Sequence, residues 1–167
     1  MKYEKAIKKA EEVLEKFDIN KAPVPIADVV RNLGIRIGYA PSMKYSGILI
    51  RKSDGNALLG VNSTESPVRM RFTIAHELGH FFLDDKKEKV SIDYRNTYGS
   101  ENIKSLKEKE VDEFAANILM PKFLLEKDFF EITKKKVFLE EHLALLADIY
   151  EVSREAMKVR ITILGLI

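Results

Sequence analysis

Apolar residues recur at helical spacing in several stretches of the chain, separated by breaks that end each pattern. In residues 3–17, apolar positions recur every three or four residues with Lys and Glu between them, which predicts an amphipathic first helix. Residues 26–33 indicate a short second helix that Gly34 can close in the left-handed conformation. Four later helices are predicted by the same spacing, at residues 110–120, 123–130, 137–150 and from 153 onward.

A second kind of pattern, typical of strands, occupies the region between the second helix and residue 61. Residues 35–39 alternate, and residues 47–51 and 57–61 are short apolar runs. The run Ser-Asp-Gly-Asn at 53–56 joins the last two with the residues of a hairpin turn. Residues 90–107 show no clear period, which predicts a long loop of the kind often found over functional sites.

The most regular helix predicted follows this hairpin. Ser66 is a good N-cap, and Pro67 suits the first helical position, where a missing N–H costs nothing. Apolar residues then recur up to Leu83, which predicts a buried helix of about four turns. A sheet packed on this helix follows from the order of the elements, so the fold class predicted is α+β.

This helix carries the sequence H-E-L-G-H, with His76 and His80 four residues apart. Side chains at that spacing project from one helix face, so the two imidazoles can bind one metal ion. Glu77, beside the first histidine, can then act as a general base on water at the ion. An ordinary helix with two hydrogen-bonded histidines is the alternative, and the helical context favours the metal site.

Length, composition and charge limit the domain organisation, the residue types that can bind a metal ion, and the cellular location that we expect. The 167 residues suit a single domain, residues 1–167, with residues 137–167 as a helical part packed on it. The chain has no cysteine, so histidine and carboxylate must supply any metal ligands. A net charge of +2 argues against a protein built to coat nucleic acid. No signal-peptide pattern and no apolar run of membrane-spanning length is found, so we expect a cytoplasmic protein that does not bind membranes.

A third protein ligand is expected, since catalytic zinc sites commonly use three and keep one position open. The third histidine, His142, lies on a distant predicted helix. On the helix predicted from Glu110, Glu110 and Asp112 flank the apolar face, whereas Glu113 points away from it and Glu108 precedes the clear pattern. The residues alone therefore leave Glu110 and Asp112 open.

Two blocks of the chain resemble the ImmA/IrrE family of metallo-endopeptidases. They are R-F-T-I-A-H-E-L-G-H-F-F-L at 71–83 and E-V-D-E-F-A-A-N-I-L-M-P at 110–121. Weaker similarity extends to residues 23–26, 33–35, 46–50, 93–95 and 152–166. The resemblance implies a zincin-like metallopeptidase fold, with a small antiparallel or mixed sheet on the H-E-x-x-H helix and further helices at both ends.

The resemblance also implies roles for individual residues. His76 and His80 would bind one Zn²⁺, or another divalent ion, and Glu77 would be the catalytic glutamate. Glu110 would be the third ligand, because it opens the family's E-x-[N/D]-x-F-A pattern. Asp112 stands where the family commonly has Asn, and a hydrogen bond to a metal ligand is its expected role.

The substrate implied by the resemblance is a protein. Family members are anti-repressors that cleave helix-turn-helix transcriptional repressors of mobile elements or stress-response genes. The expected chemistry is metal-assisted amide hydrolysis, with Glu77 as the general base. Tyr94, Arg95, Tyr98 and His142 are chemically able to stabilise the oxyanion, and the sequence does not choose among them. It also leaves the oligomeric state open.

Two other functions are compatible with parts of the sequence. Residues 143–156 resemble the turn of a helix-turn-helix, so a DNA-binding regulator could present Arg154, Lys158 and Arg160 to phosphates. The apolar positions of the last helix and the low net charge favour packing instead, so direct nucleic-acid binding is not expected. A catalytically silent zinc-binding interaction module is the other possibility, and the intact Glu77 argues against it.

Overall fold

The computed structural model describes residues 3–85, 89–93, 105–134 and 137–167, which form seven helices and four strands. The helices are α1 Glu4–Lys16, α2 Ile26–Asn32, α3 Pro67–Leu83, α4 Leu106–Leu119, α5 Lys122–Thr133, α6 Glu140–Tyr150 and α7 Arg154–Ile163. The strands are β1 Arg36–Ala40, β2 Gly47–Arg51, β3 Ala57–Asn62 and β4 Lys89–Asp93.

The four strands form one mixed sheet in the order β1-β3-β2-β4. β1 runs parallel to β3, and β2 is antiparallel to both β3 and β4. The predicted β2–β3 hairpin is confirmed, and Asp54 accepts the backbone N–H of Asn56 in its turn at 2.9 Å. The buried side chains Leu49, Leu59 and Val61 join the core, which also contains the inner face of α3.

The helix that carries the histidine motif is built as its sequence predicts. The Ser66 hydroxyl accepts the backbone N–H of Arg69, and Pro67 occupies the first turn. At the other end, Arg51 of β2 donates to the carbonyl oxygen of Phe81 at 3.1 Å. A cation there complements the partial negative charge of a helix C-terminus. The sheet and the end of α3 are therefore fixed to each other.

α3 and α4 pack closely, with Gly79 at the contact. A methyl group at position 79 would lie 2.9 Å from Cγ1 of Val111 and 3.1 Å from Cδ1 of Phe114. The absence of a side chain in the middle of the motif thus lets α4 approach the histidine-bearing helix. This approach brings the acidic positions of α4 towards the two imidazoles.

The region predicted as a loop at 90–107 differs from the structure at both ends. Residues at its start belong to β4, which pairs with β2 in the register Ile48 to Ile92. At its end, Ser105 caps α4 by accepting the N–H of Glu108, so the helix begins four residues earlier than Glu110. The strand depends on its pairing with β2, and the first turn of α4 depends on its cap at Ser105. Neither contact produces a repeat of apolar positions in the sequence, so the apolar pattern does not predict them.

The C-terminal helices show a buried cation where the sequence suggested a DNA contact. Arg160 of α7 is 4% exposed and donates to the Asn117 side-chain oxygen at 2.8 Å and to the Met120 carbonyl at 3.1 Å. Desolvation lowers the pKa of its guanidinium, and Glu113 opposes that effect. The expectation that Arg160 could face phosphates is therefore wrong, because this side chain ties α7 to α4. Arg154 and Lys158 are exposed.

The α+β class is confirmed, with a small mixed sheet against the motif helix and helices before and after it. Gly34 has a φ of 81°, which confirms the left-handed end of the second helix. Among the described residues, no helix combines the length and the apolar character that crossing a membrane requires.

Candidate metal centre

The two histidines of the motif lie side by side on α3. Their ring centroids are 4.9 Å apart, and His76 and His80 are only 2% and 4% exposed. Both rings face α4, since the tight contact at Gly79 sets the two helices against each other. Two buried imidazole nitrogens on one helix face can supply two of the ligands of a metal ion.

The Glu108 carboxylate completes a group of three donors. Its Oε2 lies 3.3 Å from Nε2 of His76, and its Oε1 lies 3.4 Å from Nε2 of His80. Two ligand atoms bound tetrahedrally at about 2.0–2.1 Å from one zinc ion would be about 3.3–3.4 Å apart. One donor atom from each of the three residues lies within 4.8 Å of the other two, so the residues present fit a divalent ion. The Glu108 side chain is 41% exposed, so the site is open to solvent on that side.

The carboxylate that faces the two imidazoles is not that of Glu110, which was expected as the third ligand. Glu110 extends towards Lys107 instead, with Oε2 3.4 Å from its Nζ, and Glu108 is the carboxylate that meets both imidazoles. The physical reason lies in the true start of α4. Once the helix includes Glu108, this residue lies one turn before Asp112 on the same face, whereas Glu110 is rotated by about 200° from it.

Hydrogen bonding to His76, and then to His80, holds the pKa of the Glu108 carboxyl well below its usual range. Partial burial opposes this effect. The carboxyl group is thus kept as a carboxylate, which is the form that binds a metal ion.

Each imidazole is also held from behind by an acidic side chain. Oδ1 of Asp112 lies 3.0 Å from Nδ1 of His76, which places Asp112 where a hydrogen bond to a ligand was expected. Oδ2 of Asp84 lies 3.2 Å from Nδ1 of His80. Sequence reasoning gave Asp84 no such role, although its position four residues after His80 was the available signal.

Glu77 lies on the sheet side of the motif and is fully buried. A methyl group at Gly47, the first residue of β2, would lie 3.2 Å from Oε1 of Glu77 and 2.4 Å from Cγ2 of Thr73. The backbone of β2 therefore runs directly against the glutamate. The metal-binding face and the candidate general base are held by different neighbours, α4 for the histidines and β2 for Glu77.

Of the four candidates for oxyanion stabilisation, the structure describes His142. Tyr94, Arg95 and Tyr98 lie outside the part of the chain that the structure describes. His142 is in the first turn of α6, where its Nδ1 accepts the backbone N–H of Leu139 at 3.0 Å. That contact caps a helix, which accounts for the third histidine without a role in the metal centre.

A mostly apolar cavity of about 370 Å³ adjoins the metal centre. Phe72, one turn before His76 on α3, and Asp112, which contacts His76, both line it. Val159 and Ile163 of α7 also line it. Its volume lies in the range of small-ligand and side-chain pockets.

The comparisons with known proteins concern the fold and the family of the chain. No curated protein matches this chain. Eleven solved chains match this one, and one of them is a Mycobacterium tuberculosis transcriptional regulator with a TM-score of 0.62 and 17% identity. The match covers 95% of this chain but 47% of that one, so the chain spans about half the length of this neighbour.

The similarity to that regulator concerns the fold. The family is shown by a sequence model, the peptidase M78 model described as an IrrE N-terminal-like domain, which matches residues 30–162. The matched segment includes the histidine motif, Glu108 and all four strands of the sheet. The chain therefore belongs to the IrrE N-terminal-like family of metallopeptidases, as the two sequence blocks suggested.

Proposed function

We propose that this protein is a zinc-dependent endopeptidase whose metal ion is held by His76, His80 and Glu108. The observation that carries the proposal is the pair of distances from the Glu108 carboxylate to the two Nε2 atoms, 3.3 and 3.4 Å. Three protein ligands leave one coordination position for solvent, which distinguishes a catalytic site from a closed structural one. This arrangement also argues against a silent zinc-binding module.

The ion would polarise the scissile carbonyl and make water acidic enough to be deprotonated near neutral pH. Glu77 would take that proton and later deliver it to the leaving amine. Its burial beside β2 limits the positions that its carboxylate can adopt, so the base is held ready in one geometry. Asp112 and Asp84 would hold the two imidazoles in place.

The substrate class that we propose is a helix-turn-helix transcriptional repressor, which would make the protein an anti-repressor. This part of the proposal depends on the family to which the chain belongs. The exposed side of Glu108 gives a polypeptide access to the centre, and the adjoining apolar cavity can accept a side chain of the bound segment. Zinc as the metal is proposed from the donor set of two imidazoles and one carboxylate.

The test has two substrates and one matched pair of variants. Zinc-loaded protein is incubated with the repressor encoded beside its gene and, separately, with a mixture of synthetic peptides, and cuts are identified by mass spectrometry. We expect one discrete cut in the repressor, lost in Glu77→Gln and retained in the exposed control Glu155→Gln.

The outcomes separate the chemistry from the substrate. Cuts in the peptides but not in the repressor would retain the peptidase and reject the proposed substrate class. Equal cleavage by the wild type and Glu77→Gln would reject the role of Glu77. Failure to cut either substrate with zinc bound would reject the peptidase proposal.

A further inference from the structure

The end of α3 carries an acidic residue in a position that is unfavourable by itself. Asp84 is the C-cap of this helix, and its side chain is only 5% exposed. A negative charge at a helix C-terminus opposes the helix dipole, and burial adds a desolvation cost. A residue that breaks local rules in this way usually serves a function elsewhere in the fold.

Asp84 contacts a metal-binding residue. Its Oδ2 lies 3.2 Å from Nδ1 of His80. With a metal ion bound, an acceptor at Nδ1 keeps the imidazole proton on that nitrogen, so Nε2, the atom that faces Glu108, can give its lone pair to the ion. The side chain therefore selects both the orientation and the tautomer of the imidazole.

A cation from α4 compensates the buried carboxylate. Nζ of Lys107 lies 3.6 Å from Oδ1 of Asp84 and also donates to the backbone carbonyl of Leu83. The same ammonium is 3.4 Å from Oε2 of Glu110. The lysine thus bridges the last turn of α3 and the first turn of α4.

The sequence position of this lysine connects it to the metal centre. Lys107 immediately precedes Glu108, so neighbouring residues of α4 supply the metal-facing carboxylate and the cation that holds Asp84. A shift of α4 along α3 would displace both at once. His76 has a simpler arrangement, since its partner Asp112 lies within α4 itself.

We infer that Asp84 and Lys107 act as a positioning pair for His80, with Asp84 orienting the imidazole for the metal ion and Lys107 holding Asp84 in place. This inference rests on the proposed metal centre. It assigns a role in metal affinity to the contact between the last turn of α3 and the first turn of α4. It also accounts for the position of Glu110, whose carboxylate lies 3.4 Å from the Lys107 ammonium.

The primary test measures the affinity of the metal-free protein for Zn²⁺ by competition with a chromophoric chelator. Asp84→Leu removes the acceptor and the charge, and we expect a loss of about 10–100-fold, as for other partners of metal-binding histidines. Asp84→Asn keeps an acceptor oxygen, so it should lose less. The neighbouring Asp85, whose side chain is 97% exposed, supplies the matched control Asp85→Asn with wild-type affinity.

A second pair of variants tests the lysine without altering Asp84. Lys107→Met should weaken Zn²⁺ binding, by less than Asp84→Leu, whereas Lys109→Met at an exposed position should not. The visible absorption of the Co²⁺-loaded proteins supplies a readout independent of activity, because its bands report the ligand geometry. Those bands should shift in the Asp84 variants and remain unchanged in the controls.

Free energies of unfolding of the metal-free variants are measured beside these affinities. A role in stability alone would lower the unfolding free energy of the Asp84 variants while leaving affinity and Co²⁺ bands as in the wild type. That result would overturn the inference and leave the metal centre intact. Should Asp84→Leu fail to fold, Asp84→Asn and Lys107→Met decide by the same criterion. A wild-type protein that binds neither ion would overturn the proposed metal centre and this inference with it.

Discussion

Gly79 and Val111 lie so close that a methyl group on the glycine would meet Cγ1 of the valine at 2.9 Å. The glycine of the H-E-L-G-H motif therefore has a packing role between α3 and α4. The distance between these helices determines whether Glu108 can reach the imidazoles. The spacing of the histidines and the glycine between them thus serve the same site.

Gly79→Ala should destabilise the protein. Overpacking of this kind costs about 1–3 kcal/mol, and the gain in helix propensity offsets about 0.5–1 kcal/mol of it. We expect a net loss of about 1–2 kcal/mol in the unfolding free energy of the metal-free protein, measured by urea denaturation. Gly38→Ala is the control, since the nearest atom to its added methyl is 3.9 Å away. Equal stabilities of the two variants would show that α4 can move away freely.

Glu108→Gln should weaken zinc binding far more than Glu110→Gln. Glu108 faces both Nε2 atoms, whereas Glu110 faces Lys107. Removing a residue that only hydrogen-bonds to a metal ligand typically costs about 10–100-fold in metal affinity. We expect the Glu108 variant to lose more zinc affinity than this, as measured by calorimetric titration. The Glu110 variant should remain near the wild type. The reverse order would restore the assignment of the third ligand to Glu110.

Gly47→Ala should disturb the contact between β2 and α3. Its methyl would lie 2.4 Å from Cγ2 of Thr73, so β2 must move or Thr73 must rotate. A destabilisation of about 1–3 kcal/mol is expected from this overlap. Because Thr73→Ser removes the clashing Cγ2, the double variant should recover part of the loss, and a double-mutant cycle measures that coupling. Strict additivity of the two changes would contradict the proposed clash.

Arg160→Met should cost about 2–4 kcal/mol, because the Met120 carbonyl and the Asn117 side-chain oxygen lose their donor in a buried place. Arg154→Met, at an exposed position on the same helix, should change stability by less than about 0.5 kcal/mol. Thermal and urea unfolding of both variants provide the measurement. Weak, salt-dependent DNA binding that disappeared in Arg154→Met would instead support the DNA-binding alternative.

The metal-free protein should lose stability in acid partly through Glu108. Its pKa is lower in the folded protein than the ordinary value of 4.5, because of hydrogen bonds to His76 and His80. The stabilisation is therefore fully present above pH 4.5 and is lost as the pH falls through the lower, folded-state pKa. Glu108→Gln should flatten the acid side of the stability curve. If the unfolding free energies of Glu108→Gln and the wild type fell equally steeply between about pH 5 and 3, this assignment would be contradicted.

The sequence by itself determined the helices with strong periodicity, the hairpin, the two histidines with Glu77, and the family. These features depend on local rules: Ser66 caps a helix wherever the helix packs, and residues four apart share a face in any surroundings. The fold class followed from the same local signals and from the resemblance of two blocks.

Only the tertiary structure decided which acidic residues meet the histidines. Periodicity indicates the apolar face of α4, but the helix start at Ser105 and the packing of Val111 on Gly79 fix which turn lies opposite His76. That setting selects Glu108 and brings Lys107 to Asp84. The strand β4 likewise exists through its pairing with β2. Such contacts join residues far apart in the chain, so no local pattern encodes them.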